Sequence, residues 1–146
     1  MKKELINEMN LRIPALSVNE SFARYAVSSF VSQLDPTLEE IADIRTVVSE
    51  AVTNSVIHGY RDSKGDVFIS VKYYSDRSVK ITVRDRGCGI ADIEKVTQPF
   101  YTGDPAGERG GMGFTIMSSF TDKMKIKSVL GRGTAVILIK RLHKDA

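Results

Sequence analysis

The chain has a single cysteine, Cys88. That excludes an internal disulfide framework and a cysteine-based zinc cluster, and it fits a reducing compartment, so the expected location is the cytoplasm. Histidine is nearly as scarce: with only His58 and His143, a histidine-rich metal site is excluded. No apolar run approaches the ~20 residues a membrane span needs, and the N-terminal MKKELINEMN has no following apolar segment of the kind a signal peptide carries. No membrane association is expected. Lysine and arginine are scattered, no five like charges adjoin, and the formal net charge is only +3, so direct nucleic-acid binding is not expected either. The G-x-x-x-x-G-K-[ST] phosphate loop is missing, and no strand runs directly into G-x-G-x-x-G, which excludes the P-loop and the Rossmann fingerprint.

What remains is an ordinary globular composition, 42% apolar and 27% charged over 146 residues. One domain spanning 1–146 is expected, large enough to bury roughly two thirds of its unfolded surface. Met9, Leu11 and Ile13 alternate with polar residues and stop at Pro14, which predicts a short edge strand. Ser17 with Glu20, and Thr37 with Glu40, each have capping-box spacing ahead of a helical apolar pattern. The first helix is expected to end near Asp35 and the second near His58-Gly59, with Gly59 as the stop. Strands are expected from Val67 to Tyr73 and from Val79 to Asp85. A glycine- and proline-punctuated loop follows from Ala91 to Gly111, then a short helix opening at Gly113, and finally a hairpin turning at Gly131-Arg132-Gly133. The later strands are joined by short turns. This order predicts an α/β two-layer sandwich, a mixed, mostly antiparallel sheet with helices on one face.

Three places look chemical. Glu50, Asn54 and His58 follow one another at i, i+4 and i+8 along the edge of the second helix's apolar arc, although a solvated helix face has the same pattern. Asp85 falls on the apolar side of its strand, where a carboxylate without partners costs several kcal/mol. A turn cap explains it as well as a binding site does, and Gly87 and Gly89 suit either reading. The segment ERGGMGF, 108–114, opens a helix from a glycine-rich loop beside Arg109, an arrangement that suits phosphate but is also an ordinary helix start. Cys88 reads as a small hydrophobe.

Taken in order, EAVTN (50–54), DRGCG (85–89), RGGMG (109–113) and GRGT (131–134) are more specific than any one of them. The order resembles the Bergerat-fold ATPases, the superfamily of gyrase B, Hsp90, MutL and the ATP domains of histidine kinases. Within it, SFARYAVSSFVSQLDPTLEEI, TVVSEAVTNSVIHGY, VRDRGCGI and GMGFTIM are similar to the small serine kinases that act as anti-sigma factors, from about residue 9 to residue 140.

The resemblance implies a Bergerat ATP-binding fold with a mobile lid, and ATP or ADP with Mg²⁺ as cofactors. Asn54 would hold the Mg²⁺, and Glu50 would take or orient the proton of the attacking hydroxyl. Asp85 would accept the adenine amino group, with Gly87, Gly89 and Ile90 close to the base and Thr134 completing the contacts through water. Gly111 and Gly113 would offer the phosphates their N–H groups, with Met112 also at the nucleotide and Arg109 as added charge. The implied partners are a sigma factor, sigma-F of endospore formers, and an anti-anti-sigma protein phosphorylated on serine. Independently of the resemblance, Arg24 on the polar side of the first helix is a candidate partner contact, although a solvated helix face has the same pattern, and the unprotected Met9 to Ile13 edge suits pairing of two copies into a homodimer. Cys88 stands where a valine is expected of that family, and Gly110 where serine is commoner. Histidine autophosphorylation is not expected, because only about twenty residues precede the first helix. A stress-response kinase of the same family, or a module that binds partners according to nucleotide without transferring phosphate, accommodates the same residues.

Overall fold

The computed structural model describes residues 3–61, 63–97 and 113–143. Its first strand, β1, spans Leu5–Pro14, longer than the alternation from Met9 suggests because Leu5 to Glu8 also pair with the neighbouring strand. Helix α1 covers Val18–Val31, tightens into a 3₁₀ turn at Ser32–Leu34, and stops at Asp35, whose φ of 50° is left-handed. Helix α2 covers Leu38–Asn54. Strands β2 (Asp66–Tyr74) and β3 (Ser78–Asp85) form a hairpin, as do β4 (Lys123–Val129) and β5 (Gly133–Arg141). Between the hairpins lie one turn of helix, α3 (Ile93–Val96), and the short α4 (Gly113–Ser119).

One five-stranded sheet results, in the order β1-β2-β3-β5-β4. All its neighbouring pairs are antiparallel, so the mixed pairing allowed by the sequence is absent among the described residues. Strict alternation divides the sheet: Val67, Ile69 and Val71 of β2 and Val79, Ile81 and Val83 of β3 point inward and are buried. They join Val27, Ile44, Val48, Val52 and Met117 of the helices in one core. Burying each aliphatic side chain stabilises the fold by about 1.5–3 kcal/mol. The opposite face of the sheet carries no layer of helices among the described residues.

Two local expectations fail for non-local reasons. Ser17 has helical backbone angles and its side chain makes no cap, and the Glu20 carboxylate, which would complete the box, is taken by the Ser49 hydroxyl of α2 and by Arg24 at 3.4 Å. The Thr37–Glu40 box does form, at 2.8 and 3.1 Å, and Glu40 also accepts the His143 backbone N–H at 2.8 Å. Within the expected loop, Asp92 caps Lys95 N–H and closes the one-turn α3. The remainder of that loop, 98–112, lies outside the described residues.

Candidate functional site

The end of α2 shapes the site. After Asn54 the helix widens into a π turn at Ser55–Gly59, closed by Tyr60 N–H donating to Ser55 O at 3.0 Å. Such turns re-aim side chains at functional sites, and this one brings Gly59 against the end of β3. Gly59 is therefore no simple helix stop: a Cβ there would lie 2.9 Å from the Asp85 Cγ.

Asp85 is buried, 6% exposed, where β3 ends. Burial pushes its carboxyl above the ordinary value, against hydrogen bonds from Gly87 N–H (2.9 Å), the Ser55 hydroxyl and the Thr134 backbone that lower it. A raised, buried carboxyl in a cleft is a candidate for a functional group. Thr134 is its register partner on β5 and shares a 2.9 Å hydroxyl contact with Ser128.

The Arg86 to Ile90 segment is fastened on both sides. Cys88 N–H donates to Gly59 O at 2.8 Å, Gly131 N–H to Cys88 O at 2.7 Å, and Ile90 N–H to the Ser128 hydroxyl at 2.7 Å. Arg86 N–H donates to the Tyr60 hydroxyl at 2.7 Å, and that hydroxyl donates to Asp66 O at 2.5 Å. Gly89 is required twice over: its φ is +75°, and a Cβ would meet Val129 O at 2.4 Å. Gly87 packs on the Gly59 carbonyl, 2.1 Å from where its Cβ would be, so its backbone is close to α2 and not to the cavity.

These elements enclose a cavity of about 670 Å³ lined by Asn54, Asp85, Gly89, Ile90, Gly113 and Thr134 among others, a size suited to a small-molecule ligand. Six expected residues thus meet in one place. Glu50 stands just beyond. A Cβ on Gly113 would lie 3.2 Å from Glu50 Oε2 and 3.4 Å from the Asn54 amide, so α4 enters directly against the polar stripe of α2. Glu50 also lines a second cavity of about 350 Å³ between α1 and α2, with Arg24, Tyr25, Arg45 and Ser49. Arg24 faces this groove and stacks on Tyr25 at 5.2 Å, and its buried Nε has no hydrogen-bond partner among the described residues. Arg109, Gly111 and Met112 lie outside the described residues.

Sequence reasoning missed Ser55, Gly59, Arg61 and Lys95, which also line the main cavity. Ser55 carried a signal, being a hydroxyl inside the apolar arc of α2 and 4% exposed. Arg61 and Lys95 bring positive charge to the wall from segments with no motif. Among the described residues no three histidine, cysteine, aspartate or glutamate side chains gather around a metal position. A hard cation here would have Asn54 and Glu50 as protein oxygens and would take the rest from a ligand.

The model of the histidine kinase-like ATPase domain matches residues 13–140. The chain is 53% identical over 140 residues to the anti-sigma F factor of Bacillus subtilis (strain 168), covering 95% of each, and 55% identical to that of Anoxybacillus flavithermus over the same length and shares. This chain belongs to the histidine kinase-like ATPase family and, within it, to the anti-sigma F factor group. Family membership implies that the chain binds nucleotide. The fold also matches the RsbU and RsbW domains of Rv1364c from Mycobacterium tuberculosis, with TM-score 0.68, 22% identity, and coverage of 94% of this chain and 32% of that one. The histidine kinase domain of the Erythrobacter litoralis EL346 blue-light activated kinase matches at TM-score 0.58 and 20% identity over 89% of this chain and 62% of that one. No helix among the described residues is long and apolar enough to cross a membrane.

Proposed function

We propose that this chain is an anti-sigma factor that binds and inhibits sigma-F and, as an ATP-dependent serine kinase, phosphorylates the anti-anti-sigma protein that opposes it. The observation that carries the reading is the position of Glu50, where the nucleotide cavity and the α1–α2 groove meet across Gly113. Nucleotide in the first and a hydroxyl-bearing segment in the second would bring donor and acceptor to the same carboxylate. Asp85 accepts the adenine amino group at the floor, and Thr134 and Ser128 hold the neighbouring wall. Asn54 is the Mg²⁺ ligand, and the ion, when bound with ATP, neutralises charge developing on the phosphates. Glu50 takes the serine proton or orients the hydroxyl. Arg109, Gly111, Met112 and Gly113 face the phosphates in the same reading.

Arg24, at the mouth of the groove, is the partner contact, and the unpaired edge of β1 suits a two-fold pairing of two chains. Incubation with labelled ATP, Mg²⁺ and a purified anti-anti-sigma protein should yield phosphoserine on that protein, and affinity capture should retain sigma-F. Absence of phosphoserine with sigma-F retained would leave a nucleotide-dependent binding module and overturn the kinase reading.

A further inference from the structure

The sequence scatters its cations, but the sheet collects them. Residues directly opposite in an antiparallel pair share a face, so the register fixes what the outer face of the sheet presents. Arg12 pairs Phe68, Phe68 pairs Arg84, and Arg84 reaches Lys127 across Ala135. Two residues along, Asn10, Ser70 and Thr82 form a neutral polar row that continues through Ile137 to Lys125. Two further on, Lys72 and Lys80 stand side by side, and Lys123 follows across Ile139. Two cationic rows thus run across the strands about 14 Å apart, taking ~3.4 Å per residue, with hydroxyl and amide groups between them.

The two rows flank a groove of about 490 Å³ over β1, β2 and β3, lined by Arg12, Phe68, Ser70, Lys72, Lys80 and Arg84 among others. Three guanidinium groups crowd one ring: Arg12, Arg84 and Arg86 lie 5.5, 5.1 and 4.7 Å from the Phe68 centroid. Only Arg12 has an acidic partner among the described residues, Asp66 at 2.7 Å. Lys72 has a distant one, Glu8 at 3.9 Å, and among the described residues no ion pair holds Lys80, Arg84 or Arg86. Packing against the ring pre-orders these planar donors but leaves their mutual repulsion in place, and a bound anion would relieve it.

We infer that this face binds single-stranded nucleic acid, with the backbone phosphates on the arginine and lysine rows and the bases over the polar row and the guanidinium planes. The neutral row supplies hydrogen bonds that a plain anion does not use, and guanidinium planes stack bases. A lipid surface fits less well. Phe68, Ile137 and Ile139, the apolar side chains between the cationic rows, are half-buried, the exposed Val129 and Leu5 stand apart at opposite ends of the face, and the cations flank a groove. The site is separate from the nucleotide cavity, which opens on the helical side.

The test uses the full chain and a fluorescein-labelled dT20 strand, followed by anisotropy as salt is raised. Binding should weaken with salt with a logarithmic slope near −3, as expected for about four neutralised phosphates at ~0.7 each. The double variant Lys80→Glu/Arg84→Glu should lose at least tenfold in affinity while its ATP affinity stays unchanged, which separates this face from the kinase site. Phe68→Leu should lose several-fold, because the guanidiniums lose their common support. Parental binding no tighter than that of the double variant would overturn the inference. So would equal or tighter binding to poly-glutamate, to phosphatidylserine vesicles or to the dT20·dA20 duplex.

Discussion

Gly59 and Asp85 are in contact across the site: a Cβ at position 59 would stand within 3.0 Å of both Asp85 carboxylate oxygens. The nearest atoms belong to the group assigned to the adenine amine. Gly59→Ala should therefore displace the carboxylate and lower ATP affinity about tenfold, some 1.4 kcal/mol, with a smaller effect on folding. A fluorescent nucleotide titration beside thermal unfolding checks it; unchanged affinity would mean that Asp85 does not read the base.

Asp85→Asn tests the same group from the other side. The amide fills the same space but offers a different donor and acceptor set, so ATP affinity should fall at least tenfold without loss of fold. The pH dependence has a definite sign. Burial raises the Asp85 carboxyl, so between the ordinary and the raised value the folded chain keeps a proton that the unfolded chain has released. That stabilising contribution is fully present below the ordinary carboxylate value and disappears as pH rises through the raised one. The stability of Asp85→Asn relative to the parent should thus improve from pH 4 to pH 7.5 in thermal unfolding, and a flat or falling difference would contradict the burial cause.

Glu40 has the opposite sign. Burial alone would raise its carboxyl, but the hydrogen bonds from Thr37 and His143 and the His143 charge together hold it below the ordinary value. Its contribution is present above the ordinary carboxylate value and is lost as pH falls through the lowered one. Glu40→Ala removes the carboxylate half of the capping box and the tie to the C-terminal segment while Thr37 still accepts the residue-40 N–H, a loss of about 1 kcal/mol at neutral pH. Melting curves should show a drop of a few degrees at pH 7 that shrinks under acid conditions.

Ile44 is fully buried between the helical layer and the sheet. Ile44→Ala should cost about 2–5 kcal/mol by lost burial and cavity formation, read as a lowered denaturant midpoint. The same substitution at Leu38, 87% exposed, should be nearly silent.

Much of this was legible because the signals were local. The Val79 to Asp85 alternation announces a sheet with one buried face, and Asp85 sits where that alternation places it. The Thr37–Glu40 box forms because nothing competes for Glu40 except groups it can also satisfy. Ser17–Glu20 has the same spacing and fails, because Ser17 is itself helical and Ser49, far along the chain, takes the carboxylate that would complete the box. Gly59 read as a helix stop, and its contact with Asp85 depends on a π turn that no periodicity encodes. The cationic rows were invisible for the same reason: Arg12, Lys80 and Lys127 share a face only through strand pairing. Arg109, Gly111 and Met112, the lid residues of the sequence reading, lie outside the described residues.

Glu50 stands where both cavities meet, and its replacement tests the kinase assignment most directly. Glu50→Gln should bind ATP as the parent does yet transfer phosphate to the serine of an anti-anti-sigma protein about a hundredfold or more slowly, the usual scale of a lost proton acceptor. Single-turnover phosphoserine formation with labelled ATP and Mg²⁺ measures it, and transfer at the parental rate would contradict the assignment of Glu50 as the group that receives or orients the serine proton.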